Sequence, residues 1–132
     1  MNLDDPAFRE FWSERHLCTL TTLRADLSPH VVPVGATLDA DAGLARVTAS
    51  RTSAKVRHVL AGAARVAICQ VDGARWSTLE GLAVVRDDPD AVAEAVRRYA
   101  ERYRPPRENP LRVVLEVRIT RVLNSSRLTA PG

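Results

Sequence analysis

Short runs in which apolar and polar residues alternate fill most of the chain after about residue 17, and a period of two is typical of half-buried strands. Residues favoured in turns separate these runs, and Asp72-Gly73 is the strongest hairpin signal. Pro33 within the second run marks an edge strand or a bulge, because proline cannot donate to a sheet ladder. The predicted strands are 17–23, 30–38, 44–50, 65–71, 75–86 and 112–123.

Three segments follow a helical period instead. Phe8, Phe11 and Trp12 lie at positions i, i+3 and i+4, which predicts a helix over 6–15 capped by an aspartate. Further helices are predicted over 53–61, ended by Gly62, and over 91–103, preceded by an acidic first turn. The order of elements favours a mainly β (α+β) fold: residues 1–132 form one domain, a six-stranded antiparallel barrel with short flanking helices.

Composition narrows the class of protein. Hydrophobic residues make up 45% of the chain, enough for a packed core, yet no apolar run approaches the roughly 20 residues that cross a bilayer. The acidic start is not a secretory signal, so we expect a cytoplasmic protein without a membrane partner. Cys18 and Cys69 lie in apolar runs without metal-ligand spacing, and we predict no metal site. The net charge of +3 does not indicate nucleic acid.

The most informative segment is a strand, a hydroxyl-rich turn and a helix start. Thr48, Ser50 and Ser53 offer hydroxyl groups, and Lys55 and Arg57 add positive charge. Lys55 is the only lysine among 19 basic residues. Such a segment suits a phosphate group, since a helix start and basic side chains both attract anions. The alternative is an ordinary helix cap followed by solvated basic residues.

The pattern [ST]-x-[ST]-x-x-[ST]-x-K-x-R after a strand resembles the phosphate-binding stretch of the pyridoxamine-phosphate-oxidase-like flavoproteins, whose fold is a split β-barrel. Residues 20–34 are similar to the first hairpin of that superfamily, although Leu27-Ser28 replaces its usual glycine. Residues 69–81, with 13–17, 99–104 and 121–123, resemble the branch that uses coenzyme F420, and within it the F420-dependent biliverdin reductases.

The resemblance implies a homodimer with a cofactor at its interface. It implies a phosphate site at Lys55 and Arg57, and a ring-flanking stretch, Trp76 to Leu79, contributed across the dimer. Ser53 stands where many members carry a basic residue, for which Arg51 is the candidate substitute. The implied cofactor-binding residues are His30, Val31, Val32, Pro33, Val34, Thr48, Ala49, Ser50, Ser53, Lys55, Arg57, Trp76, Ser77, Thr78 and Leu79.

The implied activity is hydride transfer from reduced F420 to an organic acceptor, either biliverdin, which becomes bilirubin, or another planar molecule. FMN is the alternative cofactor, and a non-catalytic flavin or haem-related carrier is the alternative class. No catalytic residue is assigned. His30 is a candidate acid or base, or a surface residue at a strand end. Trp76 either stacks on the ring or packs, and Arg75, Arg104 and Arg107 are candidates for carboxylate contacts. His58 is expected to be solvated.

Overall fold

The computed structural model describes residues 1–129. Its elements in chain order are α1 (Pro6–Ser13), β1 (Cys18–Leu23), β2 (Pro29–Val34), β3 (Ala36–Asp39), β4 (Leu44–Ser50), α2 (Ala54–Leu60), β5 (Arg65–Asp72), β6 (Arg75–Arg86), α3 (Pro89–Arg102), β7 (Arg112–Asn124) and α4 (Ser126–Thr129). The predicted helices and most strand boundaries agree with these elements to within about two residues.

The strands form one antiparallel sheet in the order β2-β1-β5-β6-β7-β4-β3. The prediction of a mainly β, antiparallel fold with flanking helices is therefore confirmed, but the prediction of six strands is wrong. Gly35 divides the predicted strand 30–38 into β2 and β3, which lie at opposite edges of the sheet although one residue separates them. The sheet curls so that the chain can pass from one edge to the other at Gly35, but β2 and β3 do not pair, and the predicted barrel is therefore an open half-barrel. Pro33 lies in an edge strand, as its missing N–H predicts.

The inward side chains of the half-barrel form one hydrophobic core. Leu20, Ile68 and Leu115 are fully buried within it. Phe11 and the other aromatic residues of α1 enter this core from one end, where the Trp12 indole N–H donates to the Ser77 hydroxyl at 2.9 Å. Val56 and Val59 of α2 enter from the other end, beside the bond from Ala83 N–H to the Ala64 carbonyl at 2.7 Å. The two helices therefore cap opposite ends of the same core.

The outer face of the sheet is covered unevenly. α3 packs on the outside of β3, β4 and β7, where Val114 and Ala95 are buried apart from the main core. Around β5 and β6 the outer face stays exposed, and Val71, Trp76 and Val84 are 61%, 37% and 54% accessible. This part of the outer face is thus open for contact, with exposed apolar side chains toward both ends of β6 and with Thr78 and Glu80 between them.

The end of α3 holds the junction between β2 and β3. The buried guanidinium of Arg102 donates to the Ala36 carbonyl at 2.5 Å, to the Glu14 carbonyl at 2.8 Å and to the Gln70 side-chain oxygen. Gly35 lies against two rings at the end of this helix: a Cβ there would be 2.6 Å from Tyr99, in the last turn, and 3.1 Å from Tyr103, just after it. One helix end therefore connects the junction with the chain after α1 and with β5.

We expect Arg102→Met to lower the free energy of unfolding by about 3 kcal/mol, because the buried oxygens that Arg102 contacts would lose their donor. Arg97→Met is the matched control on the same helix. Arg97 is exposed and forms surface ion pairs with Glu94 and Glu101, contacts worth less than about 1 kcal/mol. Urea unfolding of both variants measures the difference. Equal losses would contradict the role given to Arg102.

Candidate cofactor and substrate site

The turn before α2 is built by Ser50 and Ser53. The backbone N–H of Ser53 donates to the Ser50 carbonyl at 3.0 Å, and the Ser53 hydroxyl donates to the same oxygen at 2.8 Å. This hydroxyl therefore does not cap α2, whose first turn has no side-chain cap and no acidic residue. The Ser50 and Thr52 hydroxyl groups lie 3.4 Å apart beside it. The start of α2 thus offers polar groups with no acidic residue in its first turn, although Arg51, the candidate substitute for the missing basic residue, pairs with Asp87 at 3.6 Å.

Lys55 and Arg57 bring positive charge to this turn. The Lys55 side chain is half-buried, and burial is the one cause that shifts the pKa of its ammonium, downward. Arg57 donates to the Thr52 carbonyl at 2.7 Å and, like Lys55, forms no salt bridge with a carboxylate of residues 1–129. Because a half-buried, uncompensated ammonium is costly, an anion at this position would stabilise it. The observed residues therefore fit a phosphate group.

The candidate residues of β2 and β4 divide between the two faces of the sheet. In β2, His30, Val32 and Val34 point inward, whereas Val31 and Pro33 are exposed. In β4, Thr48 and Ser50 lie on the outer face and Ala49 is buried. A ligand on the outer surface would meet the hydroxyl groups of β4 and the backbone and outward side chains of β2.

Two histidines connect α2 with the strands. The His58 ring packs edge-on against the His30 ring at 5.0 Å, and His58 Nδ1 lies 2.8 Å from the Thr22 hydroxyl oxygen. His58 is thus half-buried, and the expectation that it is solvated is wrong. Burial, followed by electrostatic interactions with His30, Arg24 and Arg57, lowers the pKa of His58. Since Lys55 is one turn before His58, it lies on the helix side that faces these strands.

The segment Trp76 to Leu79 lies at the other end of β6. Trp76 and Thr78 point outward, whereas Ser77 and Leu79 are buried in the core. Trp76 pairs with Val71, and Leu82, near α2, pairs with Arg65. Six residues of extended strand separate these pairs, a distance of about 20 Å. One chain alone therefore does not bring Trp76 to Lys55.

The arginines named as candidates for carboxylate contacts differ in whether their guanidinium groups are free to bind a ligand. Arg75 forms two hydrogen bonds with Glu14, at 2.9 and 3.1 Å, and also contacts Asp72. Arg75, and then His16, lower the pKa of Glu14 to about 2, so this arginine is already compensated. Glu14, His16 and Asp72 form a cluster of possible metal ligands, but the guanidinium of Arg75 occupies it. Arg104 and Arg107 are exposed beside a cavity of about 440 Å³.

Sequence reasoning did not single out the arginines around the turn after β1. Arg24 and Arg65 line, with Arg57 and His58, a cavity of about 790 Å³ beside α2. The one sequence signal was Leu27, which stands where the related hairpins carry glycine.

None of the helices described is long and apolar enough to cross a membrane.

The comparisons with known proteins agree with the observed fold. Residues 4–126 match the family described as pyridoxamine 5'-phosphate oxidase, and the chain belongs to this family. The resemblance found in the motifs is thereby confirmed.

Among relatives, an F420H(2)-dependent biliverdin reductase from Mycobacterium tuberculosis (strain CDC 1551 / Oshkosh) is 57% identical over 118 residues, which cover 89% of this chain and 85% of the relative. Among solved structures, an F420 reductase has a TM-score of 0.71 at 23% identity, covering 87% of this chain and 94% of its own. The General Stress Protein 26 from Bacillus anthracis str. Sterne has a TM-score of 0.74 at 17% identity, covering 92% and 93%. At these identities the two solved structures support the fold alone.

We expect Lys55→Ala to weaken cofactor binding without unfolding the protein. A charge-assisted contact contributes about 1.5–3 kcal/mol, so the dissociation constant should rise about 10- to 150-fold. Arg15→Ala is the matched control, because Arg15 is an exposed arginine after α1, at the opposite end of the core. Fluorescence titration of both variants gives the affinities. An unchanged affinity in Lys55→Ala would place the phosphate elsewhere.

Proposed function

We propose that this chain is an F420H2-dependent reductase that transfers a hydride to biliverdin and forms bilirubin. The observation that carries the proposal is the 57% identity to a protein with that activity over most of both chains. The uncompensated charge of Lys55 and Arg57 at the start of α2 supports it, because F420 carries a phosphate and an anionic glutamate tail. FMN shares the phosphate, so it remains the alternative cofactor that the experiment must test.

In this proposal, the chain's own residues bind and orient. Lys55 and Arg57 hold the phosphate, with the hydroxyl groups of Thr48 and Ser50 beside it. The backbone from His30 to Val34 and the end of β4 line the ring system. Reduced F420 supplies the hydride when bound, and the protein supplies position and electrostatic environment. No side chain is assigned as the proton donor.

We also propose a homodimer in which each site uses both chains. The supporting observations are the distance of about 20 Å along the sheet between the pairs at Trp76 and near α2, and the exposed Val71, Trp76 and Val84 on the uncovered outer face. Small-molecule sites bury most of their ligand, which a single open groove on this small chain does poorly. A two-fold pair would provide two equivalent sites.

Location, domain organisation and partners are proposed on separate grounds. We propose that the chain acts in the cytoplasm, because Cys18 and Cys69 are free thiols, as is usual in a reducing compartment. We propose that it forms a single split-barrel domain, because the described helices α1 and α2 both contribute to one core. We expect neither nucleic acid nor a membrane among its partners.

Paired titrations with F420 and FMN test the cofactor. We expect F420 to bind more tightly, with an advantage that shrinks in high salt, because the longer anionic tail interacts with exposed arginines. Biliverdin and reduced F420 are then mixed with the protein, and bilirubin formation is followed by absorbance. Equal or tighter FMN binding would overturn the cofactor assignment. Tight F420 binding without bilirubin would overturn only the substrate.

Sedimentation at micromolar concentration tests the dimer. We expect a species of twice the 14.5 kDa chain mass. We also expect Trp76→Asp to shift it toward monomer, since a buried charge in an apolar contact is unfavourable. Arg15→Asp, a change at an exposed position after α1, is the control. A wild-type protein that sediments only as monomer would refute the dimer.

A further inference from the structure

The cavity beside α2 combines positive charge with an apolar floor; we call it the arginine-lined cavity. It has a volume of about 790 Å³, within the range of small-molecule sites. Its lining residues are Leu23, Arg24, Ala25, Leu27, Arg57, His58, Ala61, Gly62, Ala63, Ala64, Arg65 and Leu82. Three of them are arginines and none is acidic.

The arginines of this cavity form no salt bridge with a carboxylate of residues 1–129, although Asp26, in the turn after β1, interacts electrostatically with Arg24. Arg24 donates to the Pro29 carbonyl at 2.7 Å and Arg57 to the Thr52 carbonyl at 2.7 Å, both neutral acceptors. Arg65 is exposed and forms neither a hydrogen bond nor a salt bridge from its side chain within residues 1–129. Elsewhere Arg46, Arg75 and others are paired with carboxylates. The cavity therefore presents guanidinium groups that suit a ligand carrying carboxylates.

Leu27 adds a second, independent observation. Its φ of 70° is the left-handed region, and the bonds from Leu27 N–H to the Arg24 carbonyl (2.8 Å) and from Arg24 N–H to the Ser28 carbonyl (2.9 Å) define a tight hairpin turn. Glycine is favoured at this position of such a turn. The Leu27 side chain is 74% exposed. Backbone strain together with an exposed apolar side chain gives the fold no benefit, and such strain is typical of functional sites.

We propose that the arginine-lined cavity binds the acceptor, with Arg24 and Arg65 contacting its carboxylates, beside the cofactor phosphate at Arg57, and with Leu23, Leu27 and Leu82 packing against its apolar body. This inference rests on the proposed function, under which the acceptor is a planar tetrapyrrole with two carboxylate side chains. The glutamate tail of F420 is also anionic, but it is polar along its length. Such a tail would make no favourable apolar contact with the leucines or with the alanine-lined floor between Ala61 and Ala64. The cavity therefore suits the acceptor better.

Binding of biliverdin and of its dimethyl ester, measured by tetrapyrrole absorbance with oxidised F420 present, tests the proposal without turnover. We expect Arg65→Met to weaken biliverdin binding about 3- to 10-fold, a partial loss because Arg65 is exposed. We expect Arg65→Lys to restore part of it, and the ester to bind equally to wild type and Arg65→Met. Arg15→Met is the control with the same charge change. An equal loss for the ester, or unchanged biliverdin binding, would overturn the proposal.

Two additional measurements separate the remaining outcomes. If Arg65→Met loses affinity for F420 rather than for biliverdin, the cavity holds the cofactor tail and the proposal is wrong. Leu27→Asn should raise the urea midpoint, since asparagine tolerates the left-handed region, and should weaken both biliverdin and its ester. Unchanged binding of both ligands would remove Leu27 from the site. Selective biliverdin binding without bilirubin formation would support acceptor binding in this cavity and would contradict the proposed reaction.

Discussion

The rest of the structure depends on the crossing of the chain from one edge of the sheet to the other within a single residue. Gly35 makes this crossing, and the rings of Tyr99 and Tyr103 leave no space for a side chain there. Arg102 binds the carbonyl just after it. Because β2 and β3 are the two edge strands, this fixed point sets how far the sheet curls. The curl in turn determines where α2 can lie across the open end, and hence where Lys55 and the histidine pair are placed.

The distribution of charge follows from the same arrangement. Around α1 and α3 the arginines meet carboxylates: Arg9 pairs with Asp41, Arg46 with Asp39, and Arg75 with Glu14. At the α2 end, Arg24 and Arg57 contact backbone carbonyls instead, while Arg51 lies 3.6 Å from Asp87. The net charge of the whole chain is only +3, yet positive charge is concentrated at the α2 end. Such local concentration attracts anionic ligands more effectively than the same charge spread evenly.

Local patterns in the sequence predicted most of the fold. Alternation and turn residues located the strands, and the hydroxyl-rich turn with Lys55 identified the candidate phosphate site. The break at Gly35 was missed because the alternation continues through Thr37 and Leu38, and a change of sheet edge is a tertiary event without a local signal. Arg102 was missed because a charged residue on an amphipathic helix is usually solvated. Arg65 and His58 become neighbours of the site only through the packing of α2 beside the turn after β1.

The separation of Trp76 from Lys55 has a genetic consequence if two chains share each site. A chain lacking Lys55 and a chain lacking Trp76 carry defects in different halves of the same centre. When the two are mixed and exchange partners, one site of the resulting pair contains both defects and the other contains neither. Two proteins that are each inactive alone would then complement each other, because at most one of the two sites in each mixed pair would be intact. A cell that carries the two different defective alleles would therefore retain more activity than a cell that carries two copies of the same defective allele.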